Sequence, residues 1–212
     1  ISDYNALQTG LVIFWMGVPA FLLMPVLPFM IRRIHIRIAV GAGMFIMALS
    51  CFVSINLTAE SGGGVFTESQ FLRGIGMILT MMFLNQATVA SVAKEDAGDA
   101  SGIFNAARNL GGSFALAGLA SFQDQRQWHH SRRMEETLNA NSPRLQEYLD
   151  GMTASLGSPQ AALEMLSGII QRDAFVMTYN DVFFAMGAIT LVTVPLVLFL
   201  KPLPKNLSLS MH

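Results

Sequence analysis

Charge is what this 212-residue chain has least of: Asp, Glu, Lys and Arg make up 13% of it, against 52% hydrophobic residues and a mean hydropathy of +0.48. A soluble domain carries about a quarter charged residues, so an ordinary soluble fold is excluded. The net charge of -1 leaves no basic stripe to neutralise phosphates, which argues against a nucleic-acid partner. There is one cysteine, Cys51, inside an apolar run, so no internal disulfide can form. A P-loop, a dinucleotide fingerprint and a nucleophile with its base are also missing, and no enzyme is expected. The chain opens on Ile1 without a cleavable signal peptide; the expectation is a segment of a longer polypeptide.

What the chain does have is long apolar runs. Five transmembrane helices are expected, at about 9–31, 38–59, 72–93, 98–122 and 176–200, each long enough to cross a hydrocarbon core of about 30 Å at about 1.5 Å per residue. The fold class is therefore an all-α membrane protein in contact with the lipid bilayer. Pro19, Pro25 and Pro28 predict a kinked first span. Gly41 and Gly43 offer close backbone approach in the second. Residues 123–175 change to a soluble composition, and Ser142-Pro143 and Ser158-Pro159 each read as a helix N-cap followed by proline at the first helical position. Two or three short helices are expected there, followed after the fifth span by a tail at 201–212.

Orientation follows from basic-residue density. Arg32, Arg33, Arg37, Lys94, Lys201 and Lys205 crowd short segments on one side. Arg73, Arg126, Arg132, Arg133, Arg144 and Arg172 spread over a far longer stretch on the other. The dense side is expected to be cytoplasmic, which puts 123–175 outside and the C-terminus inside.

The fourth span carries an arginine in its middle. A guanidinium in hydrocarbon is costly and usually faces a protein interior or a water-filled cavity. On a helical projection Ser101, Asn105, Arg108, Asn109 and Gly112 share one face, Ala107, Gly111, Ala115 and Gly118 the next, and Ile103, Leu110 and Phe114 the opposite one. This division fits a polar wall toward a cavity, a small-residue seam against another helix and an apolar side toward lipid. Arg108 as a structural lock paired with a carboxylate is the equal alternative. Gly102, Gly111, Gly112 and Ala115 are the candidates for helix packing. On the third span Asn85 shares a face with Met81, Met82 and Val89, and Gln86 flanks it, a surface suited to an apolar ligand of variable shape; interhelical hydrogen bonds are the alternative. The fourteen methionines are otherwise good helix formers and packers. His129 and His130 beside Trp128 suit an interfacial aromatic with polar neighbours better than a metal site. Asp181 reads as a carboxylate at the membrane edge, able in principle to exchange protons.

The order of RGIGM, the turn KEDAGDASGIFNAARNLGGSFA, the opening DQRQWHHSRRMEETLNANSP and YNDVFF before a span closing in KPLP resembles the C-terminal part of the EmrB/QacA-type drug:proton antiporters. These are fourteen-helix members of the major facilitator superfamily. The resemblance implies a partial C-terminal helix bundle of an inner-membrane exporter, with helices ten to fourteen present and the N-terminal half of the same protein needed alongside. It implies small-molecule substrates, no cofactor but the proton gradient as energy source, and no metal. The His-His segment is similar to the branch that works with a periplasmic adaptor protein and an outer-membrane channel. Met82, Asn85, Gln86, Asn105, Arg108 and Asn109 would then line the substrate cavity. Export of a siderophore, lipid or metabolite, or a non-transporting scaffold acting through 124–175, are the alternatives.

Overall fold

The computed structural model describes residues 5–137 and 142–200, and what is described is helical throughout. The helices are α1 (Ala6–Leu23), α2 (Leu27–Arg33), α3 (Ile36–Val53), α4 (Gly64–Ala90), α5 (Ala97–Thr137), α6 (Pro143–Leu156) and α7 (Pro159–Thr193). A 3-10 turn, Lys94–Asp96, precedes α5, and a second 3-10 stretch, Val194–Phe199, follows α7. Among the described residues three helices are long and apolar enough to cross a membrane: α1, α3 and α7 with its 3-10 extension. The expected spans 72–93 and 98–122 fall in α4 and α5, which are long enough but more polar. The tail at 201–212 lies outside the described residues.

The first span divides where its prolines predict a kink. Pro19 stands inside α1, Pro25 falls in the turn that ends it, and Pro28 sits in the first turn of α2, where a missing N–H costs nothing. Helix α1 starts earlier than the apolar run because Asn5 and Gln8 form a capping box: the Gln8 N–H donates to Asn5 Oδ1 at 2.9 Å and the Asn5 N–H to Gln8 Oε1 at 3.0 Å.

The polar region corrects the expectation of two or three short helices. Only α6 is short. Helix α5 runs unbroken from the fourth expected span through 41 residues, and α7 starts at Pro159 and continues into the fifth. The N-cap serines stand where proposed. Ser158 accepts from the Ala161 N–H, whereas Ser142 makes no side-chain cap bond. Gly157, at φ +74°, supplies the left-handed turn that separates α6 from α7. The result is an arm of three helical segments projecting beyond one end of the bundle.

Packing in the bundle runs through small residues, as expected where lipid removes the usual apolar driving force between helices. A Cβ placed on Gly76 would lie 2.6 Å from the Gly43 carbonyl oxygen, and one on Gly43 2.5 Å from Thr80 Oγ1, so α3 and α4 touch backbone to backbone. Gly74 meets the Met16 carbonyl of α1 in the same way, and Gly187 places α7 against Cys51 and Phe52 of α3. Below these contacts lies a core of Leu27, Ile36, Val40, Leu79, Phe83 and Val197. Two side chains close the bundle at opposite ends. Asn180 of α7 holds the turn after α3, accepting from the Leu57 N–H at 3.0 Å and donating to its carbonyl at 2.9 Å. Arg37 of α3 donates to the Leu200 carbonyl at 2.8 Å.

Adding one methyl at Gly76 is expected to lower the thermal midpoint of the purified protein, because overpacking costs about 1–3 kcal/mol. The same change at Gly168, around which the structure is open, is expected to leave it unchanged or raise it slightly, alanine being the better helix former. Fluorescence-detected melting of Gly76→Ala and Gly168→Ala checks the pair, and equal midpoints would refute the close contact.

Candidate functional site

The residues singled out on the fourth span lie on a helix that the rest of this chain leaves largely uncovered. From Asn105 to Gly118 every residue of α5 is exposed, Arg108 and Asn109 included. The guanidinium of Arg108 is therefore neither sealed among aliphatic groups nor paired with a carboxylate among the described residues. Gly102, Gly111 and Gly112 have no neighbour within 4 Å of an added Cβ, and Ala115 is exposed as well. The small-residue seam thus has no partner among the described residues; the close packing that does occur uses Gly43, Gly74, Gly76 and Gly187 instead. Nothing in the sequence of α5 distinguishes a seam that faces this chain from one that faces another part of the protein.

Helix α4 presents a similar picture. Met82 and Asn85 are exposed and Gln86 half-buried, while Phe83 between them is fully buried in the core. Asn85 and Gln86 make no interhelical hydrogen bond among the described residues. Near the turn joining α4 and α5 a groove of about 520 Å³ is walled by Thr88, Val92, Ile103 and Phe104, with Asp96 and Asp99 at its rim. It is lined by the apolar side of α5, so Asn105 and Arg108 lie outside it.

The contact that fixes α5 is one the sequence reading did not assemble. Arg126 donates to Asp181 Oδ2 through Nε at 2.7 Å and through a terminal nitrogen at 2.6 Å, and His130 Nε2 lies 2.6 Å from the same oxygen. Asp181 is therefore neither free nor merely solvated: two cationic or hydrogen-bonding side chains one helical turn apart on α5 grip it. His130 is the most enclosed of the three, its side chain 13% exposed against 30% for Asp181 and 37% for Arg126. The ring of His129 meets that of His130 edge to face at 5.6 Å. Trp128 points elsewhere, under the Arg132 guanidinium at 5.1 Å. Among the described residues no three His, Cys, Asp or Glu side chains converge in a way that could hold a metal ion.

A signal for this knot existed. Arg126 stands about five turns beyond Arg108, so a helix continued past Phe122 carries it, with His130, on the face of Arg108. Ending the helix at the edge of the apolar run hid the alignment.

Comparison with known proteins supplies relatives. No protein-family model matches the chain. It is 25% identical over 205 residues to the Colistin resistance protein EmrB of Acinetobacter baumannii, covering 94% of this chain and 40% of that protein. It is 25% identical over 204 residues to the Multidrug export protein EmrB of Escherichia coli K12, covering 95% and 40%. To the Fatty acid resistance protein FarB of Neisseria gonorrhoeae it is 22% identical over 199 residues, covering 94% and 39%. The resemblance to EmrB-type multidrug exporters therefore holds across nearly the whole chain, which spans about 40% of the length of those relatives.

The Arg126–Asp181 contact is expected to show coupling on the order of 1 kcal/mol, the scale of a half-exposed ion pair. In a double-mutant cycle of Arg126→Ala and Asp181→Ala, the second substitution is expected to cost about 1 kcal/mol less once the first is made, the lost His130 contact remaining as its residual cost. Additive losses in thermal stability would show that the two side chains do not act together.

Proposed function

We propose that this chain is the C-terminal part of a proton-coupled multidrug efflux transporter of the inner (plasma) membrane, a transporter rather than an enzyme. It exports lipophilic or amphipathic compounds. In this reading five spans cross the bilayer, residues 123–175 lie on the extracytoplasmic side and the C-terminus is cytoplasmic. The proton gradient supplies the energy. One observation carries the proposal: a helix with Asn105, Arg108 and Asn109 on one face is left exposed along its whole middle by the chain that bears it. A cation at that position in a membrane needs a hydrated or protein-lined surface, and the other three-fifths of a protein of the relatives' length can provide the facing wall.

The wall on this side comprises Asn105, Arg108 and Asn109 of α5 with Met82, Asn85 and Gln86 of α4. The amides and guanidinium offer hydrogen bonds, and the methionine adapts to apolar groups of differing shape. Gly102, Gly111, Gly112 and Ala115 pack against the facing half, whose rocking relative to this one opens the cavity to either side. The arm built from α6 and the outer parts of α5 and α7 is the surface for a periplasmic adaptor protein and, through it, an outer-membrane channel. A second reading, export of anionic lipid-like molecules, is favoured by Arg108 on the exposed face together with the similarity to a fatty acid resistance protein.

Arg108→Ala in the full-length protein is expected to reduce drug resistance of expressing cells to the level of empty vector while surface expression stays normal. Resistance and surface expression are measured together. Normal resistance would refute the role in the cavity, and a parallel collapse of expression would leave Arg108 as a structural element.

A further inference from the structure

A second polar site lies well away from α5. Between α1, α4 and α7 the structure forms a recess of about 290 Å³ walled by Thr9 and Ile13 of α1, Gln70 and Arg73 of α4, and Phe183 of α7. Among the described residues Arg73 has no carboxylate partner and no hydrogen bond. Its guanidinium carbon lies 5.5 Å from the centre of the Phe183 ring, which holds the cation in place without neutralising it. One turn earlier on α4, Gln70 Oε1 is buried and has no hydrogen-bond partner. An uncompensated cation and a side chain with an orphaned acceptor therefore border the same space.

The depth and the surroundings say what can fill it. Arg73 stands nine residues, about 14 Å, into α4 and immediately before the uncharged run that begins at Gly74. That is the border between the polar and the apolar parts of the helix. Ile13 of α1, on the wall of the recess, is itself an exposed apolar side chain. Its volume is at the small end for ligand pockets, which run from about 300 to 1,000 Å³, so it admits a headgroup more readily than a whole drug.

The geometry points to a binding site for the headgroup of a phospholipid that carries a hydrogen-bond donor next to its phosphate, of the phosphatidylethanolamine kind. The phosphate accepts from the Arg73 guanidinium, the pairing that a planar fork of donors favours. The ammonium donates to Gln70 Oε1, and the acyl chains leave the recess past Ile13. This site is independent of the cavity proposed for transport, since neither Arg73 nor Gln70 belongs to that wall.

Native mass spectrometry of the full-length protein in detergent tests it, with separate titrations of phosphatidylethanolamine, phosphatidylcholine, soluble phosphoethanolamine and laurate. Phosphatidylethanolamine is expected to bind in preference to phosphatidylcholine, whose choline lacks a donor. Arg73→Gln is expected to weaken it about tenfold, as loss of a charge-assisted hydrogen bond does, and Arg132→Gln to leave it unchanged. Gln70→Leu, which keeps the cation, is expected to abolish the preference between the two lipids. Wild-type affinity in Arg73→Gln, equal binding of both lipids by the unaltered protein, or displacement by laurate would each overturn the assignment. Displacement by soluble phosphoethanolamine at matched concentration would overturn the lipid as source and leave a water-soluble phosphate ester in its place.

Discussion

Two neighbouring residues on one helix, Asn180 and Asp181, hold the architecture together. Asn180 spends both ends of its amide on the backbone of Leu57, which fixes the turn leaving α3. Asp181, one residue on and pointing to another side of the helix, takes Arg126 and His130 of α5. Helix α7 is thereby tied to the end of α3 and to α5. Both attachments are polar, and both sit at the end of the bundle where the arm departs. In a membrane setting this placement is economical of strain: hydrogen-bonding groups meet their partners near the polar border, while the apolar stretch below relies on shape.

The two halves of the chain are stabilised in different ways. Helices α1, α3, α4 and α7 meet through glycines whose missing side chains allow close contact, and around Phe83 the helices α2, α3 and α4 bury a core with Val197 of the 3-10 stretch. Helix α5 shares none of this. It meets α4 near the 3-10 turn and α7 near Asp181, and its exposed middle carries glycines with open space around them. In the function proposed above, this exposed middle is the surface that the facing half covers, small residues allowing another helix to come close.

Much of this was legible in the sequence. Uncharged runs of spanning length announced membrane helices, the prolines of the first run marked its break, and Ser158-Pro159 marked the start of α7. Relatives confirm the exporter likeness that RGIGM, the KEDAGD turn and YNDVFF suggested. What could not be read were continuities. Apolar runs end where the membrane ends, but backbone hydrogen bonding does not, so α5 and α7 pass through composition changes that looked like boundaries. The Arg126–Asp181 contact joins residues 55 positions apart and depends on how two helices cross, which no local pattern encodes. The partners of Asn85 and Arg108 stayed open for the same reason: a helical wheel gives the direction of a side chain relative to its own helix only.

The unbroken course of α5 has a mechanical consequence. A 41-residue helix without proline is a rod about 60 Å long. Its helical hydrogen bonding runs without a break between the arm and the segment bearing Arg108. Pivoting such a rod by about 5° about its pinned end at Asp181 sweeps the residues near Ala97 through several ångströms, while leaving the pivot nearly still. A load applied to the arm is therefore delivered, as torque, to the far end of α5.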